Sequence, residues 1–540
     1  MLNAPASTPT VAQASIARRV TSRAAVAPAV RARVDWVVIA GLVGAILVGL
    51  LVRVWAIGAV GFNSDEAVYA GQAAALAGDP IYSKFFAIFR AHPLLVQFLL
   101  SLVFKLGVSD VAARLLMAVI GLAAVPLVYL LGVELFSKRV GLLSAAILAI
   151  APYHVVITRQ VLLDGPETTF FLLTMYLIAR YGATSAPRYL YVGAAAAALT
   201  FLAKETGVLV LLVIAAFALV TPAMRVGWKR LGIAALVFVV AISPYPISIL
   251  ISNASDTAKQ FLIWQLLRRP NHTFTFYGEV LFSVLGPVLL VLGVVGVVLA
   301  FRRSAWEDRL LLTWIFVPFA FYEAWPVKGY QYLLPTLPAI IALAARVIDL
   351  LAIEAEKLRS HAEVVLRGRA TLLRGAVTVL SAALLLSLAA PTLGIVNNGA
   401  AVGSLAGTGG LPGGREAGAW IDQNLPQGAG FVTIGPTLSN IIEFYGHRRS
   451  QGLSVSPNPL HRNPAYDPIP NPDAAIRSLK VQYLAWDIWS ASRSEHFAAR
   501  LMEYVDKYHG RLVFEEQALV RNQDGSVERQ VVIRVYEVRP

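Results

Sequence analysis

Long apolar stretches separated by short polar breaks run through the first three quarters of the chain. About 20 apolar residues in a helix suffice to cross the hydrocarbon core of a bilayer. Runs of that kind lie at 36–57, 113–136, 140–157, 164–181, 189–203, 206–222, 231–250, 280–301, 309–326, 330–350 and 375–395, which predicts eleven spans. Two polar regions are long. The first, 58–112, contains amphipathic helical patterns at 65–77 and 92–106, suited to helices lying at the membrane interface. The second begins near 397 with a Gly-rich linker, 396–414, including Gly403, Gly407, Gly409, Gly410, Gly413 and Gly414. After it the period changes. A helix is expected at 415–424, stopped before Pro426, and short strands at 430–434, 481–486 and 531–538. Residues 415–540 therefore read as a small soluble α/β domain.

Composition agrees with the pattern. The 540 residues are 57% hydrophobic and only 14% charged, with a mean hydropathy of +0.65. That much apolar surface exceeds what a soluble core can hide, so the excess faces lipid. The fold class is a polytopic α-helical membrane protein carrying a C-terminal α/β domain.

Charge changes the picture in one respect. The net charge is +14, which by itself could suggest nucleic acid. From Asn397 onward, however, 14 Lys and Arg balance 14 Asp and Glu, so the excess lies wholly in the membrane part. There it follows the loops. With the N-terminus inside, Arg18 to Arg33, Lys138/Arg139, Arg180/Arg188, Arg225/Lys229/Arg230, Arg302/Arg303/Arg309 and Lys357 to Arg374 fall on one side. That places 20 basic residues inside against 10 in the outer loops. Positive charge is retained on the cytoplasmic side, so the expectation is N-in, with residues 58–112 and the C-terminal domain outside. It also removes nucleic acid as a partner. Residues 1–35 hold Arg18, Arg19, Arg23, Arg31 and Arg33 but no compact apolar pattern, and read as a disordered cytoplasmic tail. The apolar segment after them is too long for a signal peptide and has no clear cleavage site. With no cysteine in the chain, disulfides and thiolate metal sites are excluded.

The chemistry-bearing residues gather at the outer ends of the spans. Asp65-Glu66 follows the first span, after Ser64. Two acids in the first turn of a helix are electrostatically favoured there, which is one sufficient reason for them; the other is a general base or a metal ligand. Arg90-Ala91-His92-Pro93-Leu94 lies in the same loop, where a cation and an imidazole before a Pro-started helix could meet an anion. Arg159 and Asp164 stand at the mouth of the third and fourth spans, either as a structural Arg–Asp pair or as functional charges. Lys204-Glu205 interrupts two apolar stretches, as a turn marker or as a phosphate-neutralising cation. Arg268, Arg269 and His272 occupy the loop before the eighth span. Lys328, Tyr330 and Tyr332 top the tenth, where Lys and Tyr also serve as interface anchors. Together these place acids and cations on one side of the membrane. They suggest an outward-facing cavity that holds a lipid-linked phosphate by its cations and presents carboxylates to an acceptor.

The ordered set resembles the GT-C superfamily of membrane glycosyltransferases, specifically the family 39-like protein O-mannosyltransferases and bacterial lipid A aminoarabinose transferases. The elements that carry the resemblance are Asp65-Glu66 with Tyr69, Gly78-Asp79, His92-Pro93-Leu94, Arg159 through Asp164, Ala203-Lys204-Glu205, and Lys328-Gly329-Tyr330-Gln331-Tyr332-Leu333-Leu334-Pro335. They span roughly 36–350. The resemblance implies a multi-helix GT-C module over 36–395 with two interfacial helices in the first outer loop. It also implies a polyprenyl-phosphate sugar donor and an inverting transfer, with Asp65 matching the catalytic acid and Asp164 the second-loop acid. Asp65, Glu66 and Asp164 are then the candidate catalytic acids. Lys204, Arg90, His92, Arg268, Arg269, Lys328, Tyr330 and Tyr332 are the candidate phosphate-binding residues. A divalent metal on Asp65 and Asp164 is chemically open, since carboxylates suit hard cations, but members of the family do not uniformly need one.

The chain departs from the family in three places. A single Pro93 stands where relatives often have two, with Ala91 where some carry Lys. Lys204-Glu205-Thr206 replaces Lys-Gly-Pro, and there is no β-trefoil insert. The phosphate role is thereby left to Arg90, Lys84 or Lys204, and the acceptor is left open. A transporter or flippase, and a non-catalytic membrane scaffold, are the readings from other classes. The charges gathered at the outer surface and the lack of a repeat weigh against the first, and the intact Asp65 and Asp164 against the second.

Overall fold

The computed structural model describes residues 35–224, 226–360, 364–397, 411–521 and 526–540. The tail expected at 1–35 lies outside them except for Asp35, and so does most of the linker at 396–414.

Every predicted span falls on a helix or a bent pair of helices. In chain order these are α1 (Trp36–Val54), the loop helices α2 (Ser64–Ala77) and α3 (Leu95–Phe104), then α4 (Asp110–Leu122) with α5 (Ala124–Leu135), and α6 (Lys138–Ile150) with α7 (Pro152–Thr158). They continue with α8 (Asp164–Thr184), α9 (Pro187–Ala203), α10 (Leu209–Val220), α11 (Trp228–Ile242) with α12 (Pro244–Ile251), α13 (Ser255–Leu266), α14 (Phe276–Arg303), α15 (Trp306–Ala324), α16 (Leu337–Arg359) and α17 (Val364–Asn397). Among the described residues, five helical segments are long and apolar enough to cross a membrane, and up to seven if the bent pairs α6–α7 (56°) and α11–α12 (41°) each count as one span. Helices α8, α9, α10 and α15 occupy the other predicted spans; α8 is interrupted by Asp164, Glu167 and Arg180, and α9 and α10 are short.

The two ends of the bundle differ in chemistry. At one end Arg139 pairs with Glu356 at 2.6 Å and approaches Asp349 at 3.8 Å, while Lys138 meets Asp35 at 3.4 Å. Arg303 joins Glu307 and Asp308, and Arg346 lies over the Phe136 ring at 4.1 Å. These are the segments assigned to the inside by charge. Asp164 opens α8 and Lys204 follows the last residue of α9, at the ends of those helices away from Arg180 and Arg188, while Asp65 is on the loop helix α2 and Lys328 in the connection between α15 and α16. Arg53, fully buried in the last turn of α1, donates to the carbonyls of Gly49 (2.8 Å) and Ala149 (2.9 Å) and to Thr158 Oγ1 (3.2 Å). Satisfied this way, a charge inside the bundle becomes a strut between α1, α6 and α7.

Beyond the bundle, α18 (Gly414–Asn424), β1 (Gly430–Thr433), α19 (Pro436–Tyr445), β2 (Arg449–Gly452), α20 (Pro472–Arg477), β3 (Tyr483–Asp487), α21 (Ile488–Arg493), α22 (Glu495–Lys507), β4 (Arg511–Arg521) and β5 (Val527–Glu537) form one α/β domain. The sheet order is β2-β1-β3-β5-β4; β2, β1 and β3 run parallel, β5 and β4 antiparallel. Alternate residues serve opposite faces. Val432 and Leu484 pack with Leu501 and Val505 of α22. Phe431, Tyr483 and Ile533 pack toward α19 and, through it, onto the loop 58–112, where Phe62, Tyr82 and Phe86 join the same core. The domain is therefore seated on the loop. Phe444 nests against Phe62 and Tyr82, both at 5.1 Å between ring centres. Tyr445 donates to Asp110 at 2.9 Å and accepts from the Phe62 amide at 2.9 Å, and Arg415 pairs with Asp110.

Candidate functional site

The site is built from the start of α2. Asn63 caps that helix by accepting from the Glu66 amide at 2.9 Å, and the Glu66 side chain accepts from the Asn63 amide at 3.0 Å, a reciprocal box that fixes the first turn. Glu66 is then held at both oxygens by Arg114 of α4, at 2.7 and 2.6 Å, and also accepts from the Val161 amide. Arg114 completes its donors on the carbonyls of Ile57, Val60 and Gly61. The far end of α2 closes on Gly78, whose left-handed φ of 93° no β-carbon residue adopts cheaply. Glu66, a candidate catalytic acid in the sequence, is a structural anchor: fully buried, with its oxygens committed.

Asp65 points elsewhere, as neighbours on a helix must. Its side chain is accessible, yet it lies deep in the protein, at the wall of a hollow rather than on an outer surface. Desolvation there, and then the negative charge of Asp164, raise its carboxyl above the ordinary range, with Lys204 and Arg268 opposing. Because the side chain is accessible, solvent screening reduces this effect.

Asp164 opens α8 and accepts a hydrogen bond from Lys204 Nζ at 2.7 Å. Lys204 stands where α9 ends. The chain turns extended there and re-enters a single 3-10 turn, 205–208, because Gly207 has no side chain: a β-carbon would sit 2.3 Å from the Thr200 carbonyl. This break presents the ammonium over the Tyr332 ring at 4.5 Å. Arg268 reaches the same place and interacts with Tyr332 and Asp65. Tyr330 is buried nearby, its hydroxyl without a hydrogen-bond partner among the described residues. Asp65, Asp164, Lys204, Arg268, Tyr330 and Tyr332, from five separate stretches of sequence, thus converge.

Other predicted residues do not join them. Arg159 makes no pair with Asp164; it donates to the Val52 and Trp55 carbonyls at 2.8 and 2.7 Å, capping the end of α1. His92 hydrogen-bonds Glu205 at 3.1 Å and packs edge-on to Phe261. Lys328 is buried against Glu323 at 2.9 Å. Arg269 is exposed. Arg90 lines a wide groove of about 500 Å³ with Pro244, Ile247, Ser248 and Ile251 of α12 and Ser252 just after it. For a divalent metal, Asp65 and Asp164 are the available carboxylates, but Asp164 is already bonded to Lys204. Among the described residues no three His, Asp or Glu side chains converge as a metal site, fewer than the six oxygens a hard cation takes.

Sequence reasoning missed Arg114 and Glu167. Arg114 sat unremarked inside an apolar run, and a charge at such a place needs a partner. Glu167, one turn beyond Asp164, is buried and accepts from Thr206 at 2.9 Å.

The model of the dolichyl-phosphate-mannose-protein mannosyltransferase family matches residues 91–249. No curated protein sequence matches the chain. Among solved structures, ArnT from Cupriavidus metallidurans in the apo state is similar with a TM-score of 0.62 at 16% identity, over 93% of this chain and 97% of that one. The same protein bound to undecaprenyl phosphate gives 0.62 at 15%, over 93% and 98%. The oligosaccharyltransferase AglB from Archaeoglobus fulgidus, in complex with an inhibitory peptide and a dolichol-phosphate, gives 0.55 at 14%, over 92% and 74%. The resemblance to GT-C membrane glycosyltransferases is found again in both the family model and the fold.

Proposed function

We propose that this protein is a glycosyltransferase that moves a sugar from a polyprenyl-phosphate donor to a hydroxyl acceptor at the outer membrane face. The observation that carries the reading is one accessible carboxylate, Asp65, in a hollow whose other charged walls are the Lys204–Asp164 pair and Arg268. The relatives described with undecaprenyl phosphate and dolichol-phosphate support a lipid-phosphate donor.

In this reading Lys204 and Arg268 face the donor phosphate, and the groove between Arg90 and α12 takes the start of its apolar chain. Asp65 accepts the proton of the acceptor hydroxyl. The acceptor oxygen forms its bond to the anomeric carbon from the face opposite the phosphate as the carbon–phosphate oxygen bond breaks. The electron pair leaves with polyprenyl phosphate, so the product is inverted. The leaving group is already a stable anion, and catalysis rests on positioning and on cations near the developing charge. The charge bias of the loops supports a site outside; a reporter fused after Pro540 that proved cytoplasmic would reverse that.

The test is release of polyprenyl phosphate from a sugar-labelled polyprenyl-phosphate donor by the purified full-length protein. Transport of the intact labelled lipid across vesicles, with no release, would point instead to a flippase.

A further inference from the structure

A second hollow lies beside the first, on the soluble domain. It is a cleft of about 100 Å³ between α19 and β2, walled on the loop side by Phe85. Asn440 of α19 joins it to the site, donating from one amide nitrogen to Ser64 Oγ at 2.9 Å and to the Tyr466 hydroxyl at 3.1 Å. Ser64 is the residue before Asp65, so a lining residue of the cleft is hydrogen-bonded to the neighbour of the carboxylate. The negative charge of Asp65 is felt at the Tyr466 hydroxyl.

The lining is mostly hydrogen-bonding groups. Ser439, Glu443, Gln451, Tyr466 and Asp467 contribute hydroxyls, carboxyls and an amide, and Arg449 is the one cation. An acyl chain would leave these groups without water or partners, a cost for each. A phosphate would find a single Arg, and that beside the Asp467 carboxylate. Closely spaced hydroxyls match the set: each can donate to a carboxylate and accept from an amide or hydroxyl, and two aromatic side chains, Phe85 and Tyr466, stand in the same lining.

We propose that this cleft is the acceptor subsite and that its occupant is a carbohydrate, whose free hydroxyl it directs at Asp65. The proposal rests on the glycosyl-transfer reading and deepens it. The soluble domain is then half of the active site, and its seat on the first outer loop, through Phe444, Tyr445 and Arg415, aligns acceptor with base.

The experiment measures binding rather than turnover. Saturation-transfer NMR on the detergent-solubilised full chain is run with methyl α-mannoside, methyl β-glucoside, a serine-containing peptide and a short-chain diacylglycerol. Polyprenyl-phosphate affinity is followed in parallel. Two variants accompany the wild type. Gln451→Trp fills the cleft, and Asp467→Ala removes an exposed carboxylate whose loss does not disturb the core. At least one glycoside should bind the wild type, about tenfold more weakly in Asp467→Ala and not detectably in Gln451→Trp, with polyprenyl-phosphate affinity unchanged. Glycosides that bind none of the three forms, or bind all three equally, overturn the cleft; so does binding of the peptide or diacylglycerol alone. Glycoside binding lost in Gln451→Trp, in a protein that never binds polyprenyl phosphate, supports the cleft and removes the donor reading.

Discussion

Glu66 grips Arg114 with both carboxylate oxygens, at 2.7 and 2.6 Å, at zero exposure. This pair fixes the direction in which its neighbour Asp65 points. Breaking one member of a buried ion pair strands the other charge, at a cost of about 3–5 kcal/mol. Glu66→Gln should therefore lower the melting temperature clearly while turnover per folded molecule falls little. A thermal melt in detergent beside a transfer assay separates the two. Unchanged stability with lost chemistry would restore Glu66 to the reacting groups.

The two cations of the hollow should behave differently. Arg268 is half-buried and holds no carboxylate in a short ion pair, so Arg268→Ala should weaken donor binding by about 1.5–3 kcal/mol, the range for a charge-assisted hydrogen bond, and leave stability intact. Lys204→Met should weaken donor binding too, but also destabilise the fold, because Asp164 loses its 2.7 Å partner. Equal donor affinity in wild type and both variants, by titration with polyprenyl phosphate, would dismiss the hollow as the phosphate site.

Phe444 is the apolar key of the domain seat, between Phe62, Tyr82 and Phe86. Phe444→Ala should cost about 3–5 kcal/mol, as large aromatic truncations in cores do. If the soluble domain completes the site, transfer to acceptor should fall well below what the loss of folded protein explains, with donor binding retained. Transfer that tracks the folded fraction would make the domain a passenger.

Glu443 lines the cleft and its carboxyl is pushed up to about 8 by burial. A raised carboxyl holds its proton in the folded state after the unfolded chain has released it. Its contribution to stability is complete below the ordinary value near 4.5 and lost as pH rises through about 8. The melting temperature should therefore decline between pH 5 and pH 8, and Glu443→Gln, which cannot ionise, should flatten the decline. Parallel profiles for the two proteins would place the titrating group elsewhere.

Much of this was legible because lipid imposes a coarse rule. Any stretch of apolar residues long enough to span had to become helix, so the predicted spans fall on helices, though α8, α9, α10 and α15 are too short or too interrupted by polar residues to pass on length and composition alone. Asp65, Asp164 and Lys204 were legible because ionisable residues beside such stretches are costly without a role. Pairings were not legible. Arg159 stands five residues from Asp164 in sequence, but the nearer acceptors were the free carbonyls at the end of α1. Likewise Lys328 met Glu323 across a turn. In the soluble domain, β2 (Arg-Ser-Gln-Gly) is too short and polar to signal a strand, and β4 carries charges because it is an edge. The cleft was invisible for a related reason: its walls, 439–467 and Phe85, meet only through docking.

The decisive prediction concerns Asp65. Asp65→Asn keeps size and hydrogen-bonding shape and removes basicity. A positioned acid–base group typically contributes about 10²–10⁴ in rate, so turnover should fall by that factor with donor affinity and melting temperature preserved. The pH profile adds a sign. Desolvation, then Asp164, lift the Asp65 carboxyl above its ordinary value near 4. The base form exists only above that raised value, so kcat/KM should drop as pH falls through it, at a pH higher than an unperturbed aspartate would give. Arg268→Ala removes a nearby positive charge that favours the ionised form, and should move this limb further up. Asp65→Asn should lose the limb altogether and leave a flat, low rate. A variant that retains both near-normal turnover and the acidic limb would assign the base to another group, such as Asp164 in the same hollow, whatever the fold.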